Sequence, residues 1–105
     1  MFEDLPSAQE ATEPRARPWF LYLIECNDGS IYTGIAVDVA ARYAAHLAGK
    51  GARYTRMHPP QRLLLSVEFT DRSSASKAEY RIKQLAPALK RRFVAERSGA
   101  RAQDA

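Results

Sequence analysis

The hydrophobic pattern of the chain changes at Trp19. From that residue the sequence runs WFLYLIEC, a mostly aromatic and branched apolar segment whose length is typical of a strand. The segment IYTGIA repeats this texture after the polar NDGS, and RLLLSVEFT (62–70) alternates apolar and polar positions. The pattern therefore predicts three strands, the third with an apolar face formed by Leu63, Leu65, Val67 and Phe69.

The loop between the first two strands decides which side chains share a face. A two-residue turn at Asp28-Gly29 would place Tyr22 and Tyr32 on opposite faces of the hairpin. A three-residue loop over residues 27–29, with the glycine in the left-handed region, would pair Tyr22 with Gly34 and bring both tyrosines to one face. We favour the three-residue loop because it collects the apolar and aromatic side chains on that face.

A first helix is predicted over residues 39–48. Asp38 is a suitable N-cap for it, and Gly49 is a suitable residue to end it. The segment that follows, GKGARYTRMHPP (49–60), is basic, with two glycines at its start and two prolines at its end. We predict that this segment is a connection to the third strand.

Two more helices follow the third strand. The stretch 71–74 offers caps for a helix over roughly residues 74–86. Pro87 suits the first turn of a last helix over residues 87–96. Together these elements predict an α+β fold, with a small three-stranded antiparallel sheet flanked by helices.

The length of 105 residues allows one domain with one modest core. Residues 1–18 contain three prolines and little apolar material, so we predict a disordered N-terminal tail. The domain is expected over residues 19–96, followed by a frayed C-terminal tail over residues 97–105.

The charge is concentrated in the predicted domain. The chain carries 16 Lys and Arg against 12 Asp and Glu, a net charge of +4, and residues 19–97 hold 13 basic and 7 acidic side chains. A cationic domain suits nucleic acid and, less specifically, an acidic membrane surface. The single cysteine, Cys26, excludes an intramolecular disulfide and a thiolate zinc cluster. No signal peptide or membrane span is indicated, so we expect a cytoplasmic protein without a membrane partner.

Glu79 is the most informative acidic residue. At 100° per residue it lies about 40° from Ala75 and about 60° from Ile82, at the border of the apolar stripe of its helix. A carboxylate at this border needs a partner. One solution is a divalent cation shared with phosphate oxygens, and another is an edge glutamate that bends toward water or pairs with Lys83 at i+4.

Other polar residues form two candidate groups. Arg42 and His46 stand four residues apart on the first helix, so both can address one point beyond its surface. The connection contains a basic and aromatic set, Lys50, Arg53, Tyr54 and Arg56. This set suits either a solvated loop or contact with a phosphate backbone, and the basic run 90–92 on the last helix offers a second such surface.

The spacing of two tripeptides carries a family resemblance. Leu21-Tyr22-Leu23 is followed ten residues later by Tyr32-Thr33-Gly34, ten further residues lead to Arg42, and Glu79 lies on a later helix. This arrangement resembles the GIY-YIG endonuclease superfamily. Three longer segments are similar to its small stand-alone bacterial branch, called YhbQ-like: DGSIYTGIAVD, GKGARYTR and SASKAEYRIKQL.

The resemblance implies a metal-dependent endonuclease, DNA being a more natural substrate than RNA, with low sequence specificity and a place in DNA repair. It implies catalytic roles for Tyr22, Tyr32, Arg42 and His46, and a metal-binding role for Glu79 toward one Mg²⁺ or Mn²⁺ ion shared with the substrate. It also implies nucleic-acid contacts from Lys50, Arg53, Tyr54, Arg56 and Lys90. A monomer is expected.

The implied chemistry needs a base that activates water. A tyrosine whose pKa is lowered by nearby cations can do this, and we favour Tyr22, with Tyr32 as the alternative. Two departures from the family pattern bear on activity: Leu21 and Leu23 flank the first tyrosine, and Ile35 stands where some relatives have a lysine. The rival hypothesis is therefore a non-catalytic nucleic-acid-binding module that keeps the GIY-YIG fold.

Overall fold

The computed structural model describes residues 17–104, with side chains described up to Ser98. The three strands are β1 (Trp19–Cys26), β2 (Ile31–Ala36) and β3 (Pro60–Phe69). The four helices are α1 (Val39–Leu47), α2 (Arg53–Met57), α3 (Arg72–Lys83) and α4 (Pro87–Asp104). The strands form one antiparallel sheet in the order β2-β1-β3, which confirms the predicted α+β fold. The predicted N-terminal tail lies almost entirely outside the described residues.

The hairpin between β1 and β2 has the three-residue loop that the sequence favoured. Gly29 adopts a φ of 87°, and its N–H donates to the carbonyl of Cys26 at 2.9 Å. Tyr22 pairs with Gly34 across the two strands. Because side chains alternate along a strand, this register puts Tyr22 and Tyr32 on the same face of the sheet.

The central strand β1 is buried on both faces, so the sheet separates two apolar clusters instead of the one core predicted from chain length. On one face, α3 and α4 cover the cluster Leu21, Leu23, Ile31 and Ile82. On the other face, α1 covers the cluster Tyr22, Ile24, Cys26 and Ala36. A central strand covered on both faces reads as a continuous apolar run, which is the pattern of WFLYLIEC.

A β-bulge corrects the predicted face of β3. Leu23 pairs with Leu65, but the next residue, Ile24, pairs with Leu63, so Leu64 is inserted between two paired positions. As a result Leu64 packs against the first cluster, whereas Leu63 is 38% exposed. The predicted apolar face is therefore wrong at Leu63 and right at Leu65.

The ends of α1 follow the predicted capping residues. Asp38 accepts a hydrogen bond from the N–H of Ala41 at 3.0 Å. At the other end Gly49 has a φ of 76°, and the N–H of Lys50 donates to the carbonyl of Ala45 at 2.8 Å. With a second bond from Gly49 to His46, this geometry is a Schellman motif, which ends the helix where the glycine stands.

The later helices differ from the predicted ones at their ends. The predicted connection 49–60 contains the short helix α2, whose five residues are too few to produce a readable apolar period. Helix α3 begins at Arg72, with Asp71 as its N-cap. Helix α4 continues to Asp104, beyond the predicted end at residue 96, since arginine, alanine and glutamine in this stretch are good helix formers.

A network of ion pairs fixes α4 against the hairpin. Glu25 accepts hydrogen bonds from Arg62 at 2.7 Å and from Arg91 at 2.9 Å, and Arg91 also donates to the carbonyl of Gly29. The hydrogen bond from Arg91, followed by that from Arg62, lowers the pKa of Glu25. This network holds the start of α4 beside the first turn of the sheet. None of the helices in the described part of the chain is long and apolar enough to cross a membrane.

Candidate functional site

Three side chains from three different elements form a hydrogen-bonded chain on the α1 side of the sheet. The hydroxyl of Tyr22 lies 2.9 Å from Nε2 of His46, and Nδ1 of His46 lies 2.6 Å from Oγ1 of Thr55. The Thr55 hydroxyl donates in turn to the carbonyl of Ala52 at 3.0 Å. All three side chains are buried, with at most 2% of their surface exposed.

The last bond of this chain sets the direction of the others. The Thr55 hydroxyl donates its proton to the carbonyl oxygen of Ala52, so its oxygen can only accept a hydrogen bond from His46. The proton of the imidazole therefore lies on Nδ1. Nε2 is then a bare acceptor, so the Tyr22 hydroxyl must be the donor in the first bond. The geometry thus places a neutral proton acceptor directly behind the phenol.

The pKa values agree with this assignment. Burial, followed by the charge of Arg42, lowers the pKa of His46, which keeps the imidazole neutral. Burial, followed by the charge of Tyr32, raises the pKa of Tyr22, although Arg42 opposes the shift. The prediction that nearby cations lower the pKa of this tyrosine is therefore wrong for the free protein, because desolvation outweighs Arg42.

A row of aromatic rings leads from the hydrogen-bonded side chains toward the surface. The ring of Tyr32 lies 6.3 Å from that of Tyr22 and 5.1 Å from that of His46. Tyr54 of α2 stacks on Tyr32 at 5.9 Å, and His58 stacks on Tyr54 at 4.3 Å. The two predicted tyrosines of the hairpin therefore meet at the His46 ring, and Tyr54 of the connection joins them through Tyr32.

Two glycines make room for these rings. A Cβ atom on Gly34 would lie 2.6 Å from the Tyr22 hydroxyl oxygen and 3.1 Å from Cε2 of Tyr32. A Cβ atom on Gly51 would meet the His46 ring, 2.8 Å from both Cγ and Cε1. Any larger residue at either position would push apart the side chains of the hydrogen-bonded chain.

Arg42 and Glu79 carry opposite charges and shift the pKa of the same phenol, Tyr22, in opposite directions. The Arg42 guanidinium lowers the pKa of Tyr22, and the Glu79 carboxylate raises it. Arg42 is exposed on α1, one turn before His46. Glu79 is more covered, with 20% of its side chain exposed, and its Oε2 lies 3.2 Å from Nζ of Lys83. The i+4 pair that the sequence left open is therefore formed.

Glu79 provides one carboxylate and no more. Among the residues that the structure describes, no three His, Cys, Asp or Glu side chains lie close enough together to hold a metal ion. Mg²⁺ usually keeps several waters and takes only one or two carboxylates, together with phosphate oxygens of a substrate. The residues present therefore fit an ion that is shared with a phosphate, and they do not fit a permanent metal centre.

A cleft of about 360 Å³ opens next to these residues, along the free edge of β2. It is lined by Ile31, Tyr32, Thr33, Tyr54, Lys83 and Lys90. Burial, followed by the charge of Lys83, lowers the pKa of Lys90. Lys90, predicted as a nucleic-acid contact, therefore lies at the site.

The other predicted nucleic-acid contacts lie on the surface around α2. Lys50, Arg53 and Arg56 are exposed, and they do not line the cleft. Their contribution to binding stays a prediction. In the basic run of α4, Arg92 pairs with Glu96 and Arg91 is held by the hairpin, so Lys90 is the member that faces the cleft.

Sequence reasoning missed two residues of the site, Thr55 and Gly51, and named Lys83 only as a possible partner of Glu79. Thr55 fixes the tautomer of His46, Gly51 gives the imidazole its space, and Lys83 links Glu79 to the cleft. Thr55 and Gly51 both belong to GKGARYT, the segment that carried much of the family resemblance. The segment itself pointed to these two residues, but their contact with His46 on α1 could not be predicted from the sequence.

Comparison with known proteins places the chain in a family. The model of the GIY-YIG catalytic domain matches residues 18–92. A UPF0213 protein of Cupriavidus necator is 54% identical over 78 residues, which are 74% of this chain and 85% of the relative. The UPF0213 protein YhbQ of Escherichia coli is 50% identical over 82 residues, which are 78% of this chain and 82% of the relative.

A solved structure is also similar. The solution NMR structure of a UPF0213 protein from Bacillus halodurans is 40% identical, with a TM-score of 0.49, and the match covers 74% of this chain and 83% of that one. The names of these relatives state no activity, whereas the matched GIY-YIG catalytic domain suggests a nuclease-type function and an interaction with nucleic acid. The chain belongs to the GIY-YIG family, within its small UPF0213 or YhbQ-like branch.

Proposed function

We propose that this protein is a metal-dependent endonuclease that hydrolyses phosphodiester bonds of nucleic acid, DNA in preference to RNA, with low sequence specificity. The observation that carries the proposal is the chain from Tyr22 through His46 to Thr55, which keeps a bare imidazole nitrogen behind a phenol. A module that only binds nucleic acid needs a basic surface, and it has no use for a buried and oriented proton acceptor.

Tyr22 and His46 would act together as the base. As a water oxygen forms its bond to phosphorus, the water proton passes to the Tyr22 oxygen while the Tyr22 proton passes to Nε2 of His46. The bond from phosphorus to the leaving oxygen breaks, and that oxygen takes a proton from solvent. This transfer needs no phenolate in the free protein, so it is compatible with the raised pKa of Tyr22.

The neighbouring charges would serve the phosphate. Arg42 would meet the negative charge that grows on the phosphate oxygens, and Tyr32 would orient the phosphate or the water. Glu79 would hold Mg²⁺ or Mn²⁺, which when bound would add to this charge stabilisation. Because Lys83 occupies the Glu79 carboxylate in the free protein, we expect metal binding to be weak until a phosphate is present.

A non-catalytic nucleic-acid-binding module is the second candidate. The ion pair between Glu79 and Lys83 favours it, since a carboxylate already neutralised by a lysine has less attraction for a metal ion. The departure at Ile35 favours it as well, because a lysine there would help to deprotonate a phenol.

A cleavage panel separates the two. The protein is incubated with labelled duplex, single-stranded and branched DNA and with RNA, in Mg²⁺, Mn²⁺ or EDTA, beside Glu79→Gln and the control Glu68→Gln, which changes an exposed carboxylate on β3. The proposal predicts metal-dependent cleavage of at least one DNA by wild type and Glu68→Gln, and none by Glu79→Gln. Binding of every probe without cleavage of any would favour the binding module.

A further inference from the structure

We propose that the cleft formed by Thr33, Lys83 and Lys90 is a second phosphate subsite, which holds a phosphate group of the nucleic-acid strand beside the one that is cut. This inference deepens the proposed function and rests on it for the identity of the ligand. The subsite would bind the backbone of any sequence, since phosphate carries no base information.

The cleft is lined by two lysines and has a positive charge that suits an anion. Lys83 and Lys90 line it together, although the only carboxylate that pairs with either of them among the described residues is Glu79. Lys90 is half-buried, and the lowered pKa of its amine reflects both this burial and the charge of Lys83. Lys83 is exposed at the mouth of the cleft, so the two cations differ in burial, and an anion between them would neutralise both.

The hydroxyl of Thr33 is an independent observation at the same place. Thr33 lines the cleft and is 2% exposed, and its Oγ1 is buried without a hydrogen-bond partner among the described residues. Buried hydroxyls nearly always have a partner, so one that lacks it points to a group that binds there. A phosphate oxygen in the cleft would supply the acceptor that this hydroxyl lacks.

The position of the cleft ties it to the candidate catalytic residues. Tyr32 lines the cleft, and its ring packs against Tyr22 and His46 on the other side. Lys83 reaches both the cleft and the Glu79 carboxylate. A strand whose phosphate lies between Lys83 and Lys90 would therefore pass directly over Tyr32 toward the hydrogen-bonded chain.

The experiment measures binding without metal, so that it does not depend on cleavage. A short fluorescent single-stranded DNA is titrated with wild type, with the double variant Lys83→Gln/Lys90→Gln, and with Thr33→Val, all in EDTA and over a series of salt concentrations. Two controls remove the same groups elsewhere. Lys77→Gln changes an exposed lysine on the outer side of α3, and Thr70→Val changes an exposed threonine after β3.

We expect the double lysine variant to lose affinity and to reduce the salt slope by about one to two, one for each lost phosphate contact. Thr33→Val should weaken binding by about tenfold, as for a hydrogen bond to a charged group. The same variant should keep or raise the melting temperature of the free protein, because it removes an unsatisfied hydroxyl. This opposite effect on stability and binding separates a ligand contact from a structural role.

A phosphate scan locates the subsite. Replacing one phosphate at a time by a neutral methylphosphonate should find a position at which wild type loses affinity and the double lysine variant loses none. Equal losses for Lys77→Gln and the double lysine variant, or unchanged binding by Thr33→Val, would overturn the subsite. If either of these results were found while the protein still cleaves DNA, the subsite would be wrong and the proposed function would stand. If the subsite binds DNA as expected but no DNA is cleaved, the proposed nuclease activity would be wrong and the subsite would stand.

Discussion

The Tyr22 hydroxyl donates a hydrogen bond across 2.9 Å to Nε2 of His46, inside the cluster that α1 packs against the sheet. The tyrosine comes from the central strand and the histidine from the last turn of α1, so the pair exists only in the folded chain. Thr55 fixes the proton on the far nitrogen of His46. In this arrangement the phenol is the donor and the imidazole nitrogen is the acceptor.

Replacing Thr55 tests whether the tautomer of His46 matters. Thr55→Val keeps the shape but leaves the Nδ1 proton of His46 buried without an acceptor, which should cost about 1–3 kcal/mol in the free energy of unfolding. Cleavage should fall and DNA binding should persist. Thr55→Ser keeps the hydroxyl and should behave like wild type in both single-turnover cleavage and thermal unfolding. Equal activity of the Val and Ser variants would remove Thr55 from the site.

Two glycines that flank Lys50 make a matched pair. A Cβ on Gly51 would clash with the His46 ring, so Gly51→Ala should displace the imidazole and abolish cleavage. A Cβ on Gly49 would meet no atom, and its cost comes from the φ of 76° alone, about 1–2 kcal/mol of stability. Gly49→Ala should therefore be less stable but active once folded. Denaturant unfolding measures the stability of both variants, and cleavage is measured at a temperature below their unfolding transitions. A Gly51→Ala variant that cleaves normally would show that the position of the His46 ring does not matter for activity.

The lowered pKa of His46 predicts a pH dependence of stability. The unfolded chain takes up a proton on this histidine near its ordinary pKa of 6.5, whereas the folded chain does so only at lower pH. The unfolded state therefore binds more protons in this window, and stability is lost as the pH falls from about 6.5 toward the folded pKa. Above about pH 7 the contribution is fully present.

Thermal unfolding across this range checks the sign. The melting temperature of wild type should fall as the pH is lowered through the window, and His46→Gln should flatten that part of the profile. His58→Gln, which changes a half-buried histidine paired with Asp28, should retain the dependence. A rise of the melting temperature toward acid pH that is lost in His46→Gln would show that His46 gains a proton on folding, against the assigned tautomer.

Lys83 should compete with a metal ion for Glu79. Lys83→Gln removes the cation that lies 3.2 Å from the carboxylate, so Mn²⁺ binding without nucleic acid should tighten by about two- to fivefold, the range expected for a partly exposed ion pair. Electron paramagnetic resonance of free Mn²⁺ measures this directly. Lys77→Gln should leave the affinity unchanged, and Glu79→Gln should lower it. An identical affinity in Lys83→Gln would mean that the ion pair does not restrict the carboxylate.

Features set by local sequence could be predicted. The left-handed Gly29 fixed the loop length, and with it the pairing of Tyr22 with Gly34. Asp38 and Gly49 marked the ends of α1 because capping depends on the backbone within a few residues. The shared face of the two tyrosines followed from these local choices.

Features set by tertiary packing could not be predicted. The bulge at Leu64 depends on the register against β1, and the partner of Thr55 depends on how α2 folds back toward His46. The direction of the Tyr22 pKa shift was missed for the same reason, since the sequence indicates nearby cations but not the degree of burial that outweighs them. The sequence therefore identified which residues form the candidate site, but the hydrogen bonds and pKa shifts among them depend on the fold.

Single-turnover cleavage by Tyr22→Phe tests whether Tyr22 passes a proton to His46. The variant keeps the ring and removes the hydroxyl, and the control Tyr43→Phe removes a hydroxyl from α1 against the same cluster. Tyr22→Phe should bind DNA and stay folded at the assay temperature, although the loss of the donor to Nε2 of His46 should cost about 1–3 kcal/mol in the free energy of unfolding. Its cleavage rate should fall by about 10² or more, whereas Tyr43→Phe should cleave normally. Cleavage by Tyr22→Phe at the wild-type rate would contradict this proton transfer, and the base would then have to be sought at Tyr32.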